Sequence, residues 1–212
     1  MKTSAVEKPN EAWKYEWNYR CRRLLKEILL WRPDVVCLQE VDHYADFFEP
    51  EMKRAGYEGV YKKRSITIVT WQALEFFTPG HAVLDRHNIA IQAVLEWQPA
   101  DAPPRRFVIA NTHILFNPGP LRQRGDVKLA QLEMLFESLA QLRVSEYAPD
   151  DGSTLPLILC GDFNLAPHGA LYEFISRGSL HVSGLSKHML SGQHLEVNEK
   201  VSEVQSFGVV VS

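Results

Sequence analysis

Cysteine is scarce in this chain, and its spacing matches neither a metal-binding motif nor a disulfide framework. The 212 residues include 3 cysteines, Cys21, Cys37 and Cys160. Two of them fall in apolar strand-like runs and one falls in a helical run, which favours buried free thiols. We therefore expect a reducing compartment, the cytoplasm, with the nucleus as a second location.

Long apolar runs and a surplus of basic residues are also missing. No apolar stretch approaches the roughly 18 residues that cross a bilayer, and the polar first 11 residues lack the apolar core of a signal peptide, so we expect no membrane insertion. The net charge of -3 and the pI of about 6.2 exclude a global basic footprint. A nucleic-acid substrate must then be held locally, by a metal and a few basic side chains.

The most informative stretch that is present is Leu-Ile-Leu-Cys-Gly-Asp-Phe-Asn at residues 157–164. It combines a short apolar run, typical of a buried strand, with a glycine turn that presents two polar side chains. Side chains two residues apart in an extended segment point to the same side, so Asp162 and Asn164 can converge on one ligand. The plainer alternative is a strand followed by an ordinary Asx turn.

Two further apolar runs end in the same manner and supply other functional groups. Residues 34–40 end in Glu40, and residues 106–113 end in Asn111 and His113. Polar groups at the carboxyl ends of strands are typical of sites in layered α/β folds. The three strand ends therefore predict one common site.

The order Leu-Gln-Glu, Asn-Thr-His, Gly-Asp-Phe-Asn resembles the endonuclease/exonuclease/phosphatase superfamily of metal-dependent phosphodiesterases. Within it, Asn-Thr-His-Ile-Leu-Phe-Asn-Pro at 111–118, Leu-Asp-Arg-His-Asn at 84–88 and the Leu-Tyr-x-Phe element before residue 175 resemble the branch of carbon-catabolite-repressor deadenylases, nocturnin and Angel proteins. The resemblance runs from about residue 17 to residue 193. It implies a four-layer αββα sandwich of two mixed β-sheets flanked by helices, incomplete at the edges.

The resemblance also implies roles for the strand-end residues. Glu40 would hold Mg²⁺ or Mn²⁺, since such cations take one or two carboxylates and keep several waters. His113 would contact the scissile phosphate, Asp162 would orient or deprotonate the attacking water or hold a second metal, and Asn164 would donate to a phosphate oxygen. Taken singly, a Glu at a strand end is more often only solvated, and a His in an apolar strand is more often a packed core residue.

Three further residues are candidates for substrate binding. The resemblance brings Asn88 near the nucleotide path, and Asn111 is a weaker candidate behind the strand end. Arg124 follows the Thr-His strand and is placed to meet phosphate, although a solvated helix face is the plainer alternative for an arginine there.

Hydrophobic periodicity predicts the remaining organisation. Helices are expected at 17–31, around 47–55, at 124–143 with Asp126 as its cap, and at 170–177, and strands at 57–62, 89–95, 106–114 and 156–161. We expect a polar tail at 1–16, a partial catalytic domain at 17–180, and a loop or disordered tail at 181–212.

The chain departs from the family pattern at both ends and in the middle. It lacks the opening strand whose Asn helps hold the metal and the final Asp-His pair, and residues 65–71 replace an expected Asp-Gly-Cys-like element. We therefore expect a truncated or alternatively spliced member, impaired as a 3'-to-5' exoribonuclease on poly(A). The alternatives are removal of a terminal or 2',3'-cyclic phosphate from RNA or a nucleotide, and a non-catalytic module that binds proteins of RNA decay or translation.

Overall fold

The computed structural model describes residues 12–57, 59, 66–81, 84–116, 124–187 and 189–192, and the backbone of 206–207. The helices are α1 (Trp17–Trp31), α2 (Glu49–Arg54), α3 (Gly125–Arg143) and α4 (Ala170–Arg177), with a 3₁₀ turn at Ala12–Tyr15 and a π turn at Tyr44–Phe48. The strands are β1 (Ile66–Phe77), β2 (Asp85–Trp97), β3 (Arg105–His113), β4 (Leu157–Asp162), β5 (Leu180–His181) and β6 (Ser206–Phe207). No helix among these residues is long and apolar enough to cross a membrane.

The chain divides into two compact units. The first comprises Met1–Val36 and Glu40–Ile66, and the second comprises Cys37–Gln39 and Thr67–Ser212. In the first unit, the ring of Trp17 stacks on His43 with 4.1 Å between ring centroids and meets Phe47 and Phe48 edge-on. This aromatic group packs α1 against the π turn, because aromatic pairs prefer stacked or edge-to-face arrangements.

The second unit is built on a mixed four-stranded sheet in the order β1-β2-β3-β4. β2 and β3 form an antiparallel pair, and β3 and β4 run parallel. A parallel pair needs a crossover, which here contains α3. The predicted α/β class, with a mixed sheet and flanking helices, is confirmed. A second, two-stranded sheet pairs β5 with β6.

Helix α3 covers one face of the four-stranded sheet. Alternate residues of β3 point to it, because successive side chains of a strand face opposite sides. Val108, Ala110 and Thr112 are buried on that side. From α3 the matching stripe recurs at spacings of three and four and is fully or almost fully buried: Lys128, Gln131, Leu132, Leu135 and Leu139. The core thus carries two polar side chains on an otherwise apolar stripe.

Several predictions from periodicity need correction. Residues 34–40 are not part of a sheet ladder, since no strand is assigned there. α3 begins at Gly125, so Asp126 lies inside the first turn and is not its cap. The stretch at 65–71, which differs from the family pattern, overlaps β1 (Ile66–Phe77), and β1 lies beside β2 in the sheet.

Some predictions fall wholly or partly on residues outside the described part of the chain. Four of the six residues of the strand expected at 57–62 lie there, as do residues 1–11 of the expected N-terminal tail. Of the expected tail at 181–212, the structure describes 181–187, 189–192 and 206–207, and the pairing His181↔Ser206 brings two of these pieces into a strand pair.

Candidate active site

The carboxyl ends of β3 and β4 bring two predicted catalytic residues together. In the parallel register, His113 and Asp162 are direct Cα partners. Partners in neighbouring strands point to the same face, and this is the face opposite α3, because Thr112 beside His113 is buried on the α3 side. The Asp162 side chain is exposed and His113 is half-buried. An imidazole and a carboxylate therefore stand side by side at one edge of the sheet.

Asn164 is fixed in a tight turn immediately after Asp162. Its φ of 49° is in the left-handed region, which Asn tolerates better than most residues. The backbone N–H of Asn164 donates to Oδ1 of Asp162 at 2.9 Å, an Asx turn. Its side-chain Nδ2 donates to the carbonyl of Ile114 at 2.9 Å. That bond uses one of the two N–H groups of the amide. The predicted contact of Asn164 with phosphate would therefore use the other N–H group.

Glycine is required at position 161 by close contact between β3 and β4. The φ of Gly161 is 150°, and a Cβ built on it would collide with the backbone carbonyl of Thr112. Only a residue without a side chain lets the two strands approach this closely. The glycine thereby brings Asp162 level with His113.

A polar network on the α3 side supports the end of β3. Nδ2 of Asn88 donates to the carbonyl of His113 at 2.9 Å, and Nε2 of Gln131 donates to Oδ1 of Asn88 at 3.1 Å. Oε1 of Gln131 accepts the backbone N–H of Leu115 at 3.0 Å. Both functional ends of the Asn88 amide are thus hydrogen-bonded within the protein. The prediction that Asn88 binds substrate remains a prediction, and its described contacts are supporting ones.

Lys128 supports the end of β4 in the same way. Its Nζ donates to the carbonyl oxygen of Asn164 at 2.6 Å, and its side chain has no exposed surface. Burial lowers the pKa of Lys128 to about 8, and the nearby carboxylate of Asp162 acts in the opposite direction. Lys128 therefore lies beneath the turn and not on a solvated helix face.

The side chain of Asn111 ties the segment Cys37–Gln39 to the sheet. Nε2 of Gln39 donates to Oδ1 of Asn111 at 2.6 Å, and Nδ2 of Asn111 donates to the carbonyl of Leu38 at 3.1 Å. Asn111 points to the same face as His113, two residues further on. Its amide holds the Leu-Gln-Glu segment, while the prediction that it binds substrate stays a prediction.

A pair of neighbouring thiols joins Cys37 of this segment to Cys160 of β4. Burial, together with the neighbouring thiol of Cys160, raises the pKa of Cys37 to about 11. The Cys160 thiol neighbours the Cys37 thiol, and Cys160 is the register partner of Asn111. All three cysteines are free thiols, as the sequence predicted, although only Cys21 is fully buried.

Glu40, the predicted metal ligand, follows Gln39 in the chain but belongs to the first unit. Its side chain is exposed and its φ of 52° is in the left-handed region. A non-glycine residue in this conformation is uncommon and is a reason to examine it for function. The role of Glu40 in metal binding stays a prediction.

Arg124, the remaining predicted contact to substrate, stands just before α3. Its guanidinium forms a two-point ion pair with Asp126, with Nε–Oδ1 at 2.9 Å and Nη2–Oδ2 at 3.0 Å. This pairing raises the pKa of Arg124, and the same pair lowers the pKa of Asp126 against the opposing effect of burial. The described hydrogen bonds of the Arg124 side chain are to Asp126 and not to the strand ends.

The pattern of the sequence did not reveal the supporting roles of Lys128 and Gln131. Their signal was present, because both occupy the buried stripe of α3 at the spacing of its leucines. A lysine at such a position is rare unless it is paired. Polar residues on an apolar stripe beside a strand end are therefore worth treating as candidates.

The donor groups at the strand ends fit a hard divalent cation. Asp162 offers carboxylate oxygens at the surface, and Mg²⁺ needs only one or two carboxylates with water completing its shell. Among the described residues, no group of three or more His, Cys, Asp or Glu side chains is arranged to hold a metal. That the cation is Mg²⁺ or Mn²⁺ stays a prediction.

Comparison with known protein structures supports the fold. The structure of ANGEL2, a 2',3'-cyclic phosphatase, in complex with adenosine-2',3'-vanadate has a TM-score of 0.74 and 33% identity, covering 89% of this chain and 56% of that chain. The human nocturnin catalytic domain with bound sulfate has a TM-score of 0.59 and 27% identity, covering 79% of this chain and 65% of that one.

Comparison of sequences agrees. Protein angel homolog 2 of Homo sapiens is 36% identical over 194 residues, covering 84% of this chain and 34% of that protein. Protein angel homolog 1 of Rattus norvegicus is 36% identical over 202 residues, covering 84% of this chain and 28% of that protein. The chain thus spans about a third of the length of these relatives. The model of the Endonuclease/Exonuclease/phosphatase family matches residues 11–201, and the chain belongs to that family.

Proposed function

We propose that this chain carries the strand-end part of a hydrolase that acts on 2',3'-cyclic phosphate at the 3' end of RNA or on a nucleotide. The observation that carries the proposal is the pairing of His113 with Asp162 at the ends of two parallel strands. The similarity to ANGEL2, which was solved with adenosine-2',3'-vanadate, supports this substrate over others.

The two side chains supply complementary chemistry. His113 would donate a hydrogen bond to a non-bridging phosphate oxygen, where negative charge develops in the transition state. Asp162 would orient the attacking water and accept its proton. Attack of this water at phosphorus forms one P–O bond and breaks one P–O bond of the cyclic ester, and the departing ribose oxygen takes a proton from solvent and becomes a hydroxyl. The free N–H of the Asn164 amide would bind a second phosphate oxygen.

A divalent cation, when bound, would supply Lewis-acid polarisation of the phosphoryl group. We propose Mg²⁺, with Mn²⁺ as a substitute, and Glu40 as its ligand. Exposed carboxylates of this kind match the preference of both ions for oxygen donors.

Removal of poly(A) from the 3' end is a second candidate function. A relative named carbon catabolite repressor protein 4 homolog 3, from Arabidopsis thaliana, is 34% identical and covers 91% of this chain and 44% of that protein. This favours keeping deadenylation as a proposal. Both reactions need the same phosphate contacts, so the two candidates differ in the end group that is recognised.

The test compares two RNA substrates with the purified chain in the presence of Mg²⁺. One is an oligonucleotide that ends in a 2',3'-cyclic phosphate, and the other is an oligoadenylate with a free 3' hydroxyl. We expect loss of the cyclic end, detected as a change in mass and in gel mobility, without shortening of the oligoadenylate. Shortening of the oligoadenylate alone would transfer the assignment to deadenylation.

Variants locate the activity at the strand ends. Asp162→Asn and His113→Ala should each lower the rate by about 10² to 10⁴. The matched controls are Asp101→Asn and His181→Ala, which change exposed residues elsewhere in the second unit and should turn over like the parent. If the parent chain hydrolyses neither RNA, the remaining alternative is a non-catalytic module that binds proteins of RNA decay or translation.

A further inference from the structure

Lys128 is a fully buried cation close to the candidate active site. Its side chain has no exposed surface and lies on the stripe of α3 that includes Leu132 and Leu135. Burying an ammonium group is costly unless it is paired and hydrogen-bonded. A neutral apolar side chain would fill the same space at a lower cost. The position of Lys128 therefore calls for a reason other than packing.

One partner of the ammonium group is the turn that holds Asn164. Nζ of Lys128 donates to the Asn164 carbonyl at 2.6 Å, and hydrogen bonds from a charged donor are shorter and stronger than neutral ones. Because the side chain has no exposed surface, it does not reach a substrate in solution. Lys128 can affect the reaction only through the groups that it holds.

Asn164 needs to be held because of its backbone conformation. The left-handed φ of 49° is unfavourable for a residue with a side chain, so surrounding contacts have to maintain it. Three contacts converge on this residue from different directions: Asp162 accepts its N–H, the carbonyl of Ile114 accepts from its side chain, and Lys128 donates to its carbonyl. The first of these contacts also fixes the Asp162 carboxylate.

We propose that Lys128 is a positioning residue for the hydrolytic site, fixing the Asp162–Asn164 turn from the α3 side so that the Asp162 carboxylate is held beside His113. The proposal rests on the proposed function for its catalytic consequence. Its structural part, the ordering of the turn, is independent of any substrate.

The test replaces Lys128 by methionine, which has a similar length and no charge. We expect the backbone N–H of Asn164, monitored by NMR, to exchange with solvent roughly tenfold faster, because one of the three contacts is lost. In the 2',3'-cyclic phosphate assay we expect kcat to fall by about tenfold or more, with KM changed by less than about twofold, because small misplacements of catalytic groups mainly lower the chemical rate. The urea midpoint should not decrease, since a buried charge is replaced by an apolar group.

The matched control is Ser138→Ala, on the same helix. Ser138 donates a partly buried hydrogen bond to Gln92 at 3.0 Å, away from the turn. This variant should leave both kcat and Asn164 exchange at the parent values. If Lys128→Met does not fold, Lys128→Gln is used in its place, with the same expected directions.

The outcomes separate this proposal from the proposed function. Parent-like exchange at Asn164 in the folded Lys128 variant overturns the positioning role, and so does faster exchange with an unchanged kcat. If the parent hydrolyses neither RNA, the proposed function fails, and Asn164 exchange alone decides whether Lys128 orders the turn. Faster exchange with reduced kcat at constant KM supports the positioning role.

Discussion

Two segments of this chain have similar sequence patterns, an apolar run that ends in polar residues, but different contacts hold them in the fold. The end of β4 lies in a parallel ladder beside β3 and leads into a turn fixed by contacts from Asp162, Ile114 and Lys128. The segment Cys37–Gln39 lies in the apolar run at 34–40, yet it belongs to no ladder and is held by hydrogen bonds to Asn111.

The comparison shows that an apolar pattern predicts burial, whereas a place in a β-ladder depends on a neighbouring strand. An apolar run ending in polar residues predicts a buried strand with an accessible end in both cases, but no residue of β4 is buried and Ile158 is exposed. A ladder also needs a neighbouring strand with unpaired N–H and C=O groups, and that neighbour is distant in sequence. We infer that the turn at 162–164 is the more rigid of the two segments, and that Asn111 is the critical residue for the other.

The largest expected effect comes from the contact that brings β3 and β4 together. Gly161→Ala should lower the free energy of unfolding by about 2–4 kcal/mol, because the new Cβ collides with the Thr112 carbonyl in addition to the backbone strain. The control is Gly152→Ala, where φ is +79° and nothing lies within 4 Å, so strain alone should cost about 1 kcal/mol. Urea denaturation measures both. Equal losses would show that close contact of the strands is not the cause.

The next prediction concerns the segment without a ladder. Asn111→Ala removes the partners of Gln39 and Leu38 and should lower the free energy of unfolding by about 1–2 kcal/mol. Amide exchange of residues 37–39 should become faster, while exchange of Asn164 should stay at the parent rate. Gln39→Ala removes one of the two hydrogen bonds and should cause about half the loss. Faster exchange in both segments after Asn111→Ala would mean that they are not held independently.

The smallest expected effect is on thiol chemistry beside the same segment. The pKa of Cys37 is raised from 9.0 to about 11, so its thiolate is scarce at pH 8 and alkylation should be slow, rising about tenfold per pH unit. Because the folded pKa exceeds the unfolded one, the neutral thiol stabilises the fold below about pH 9, and this contribution is lost between about pH 9 and 11.

Replacing the neighbouring thiol sharpens the same prediction. Cys160→Ala removes the two smaller causes of the shift and leaves burial, the largest one, in place. Alkylation of Cys37, followed by mass spectrometry, should become a few-fold faster at pH 8 but should not reach the rate of an ordinary thiol. A midpoint near pH 8.5 in the parent would contradict the raised pKa.

The features that the sequence predicted well depend on local rules. The turn at Gly161–Asn164 follows from glycine, an Asx side chain and period-two alternation, and the bounds of α1 and α4 follow from helical periodicity and their terminating residues. The placement of His113 beside Asp162 was also predictable, since both end apolar strands. The family resemblance supplied their chemical roles, which the geometry leaves to experiment.

The features that the sequence did not predict depend on distant partners. Lys128 is buried and donates to the carbonyl of Asn164, 36 residues away, and periodicity alone does not reveal this partner. Residues 34–40 look like a strand because apolar content does not specify a pairing neighbour. Asp126 looks like a helix cap, yet Arg124 two residues earlier is its ion-pair partner inside the first turn.

The central claim is that the ends of β3 and β4 bind the cyclic phosphate of a 2',3'-cyclic nucleotide. The most direct measurement is an NMR titration of the isotope-labelled chain with adenosine-2',3'-vanadate in the presence of Mg²⁺. We predict saturable shifts of the backbone amides of His113, Asp162 and Asn164, which Asp162→Asn weakens and Asp101→Asn leaves unchanged. Saturable shifts confined to residues away from these strand ends, or no shift at millimolar ligand, would contradict the claim.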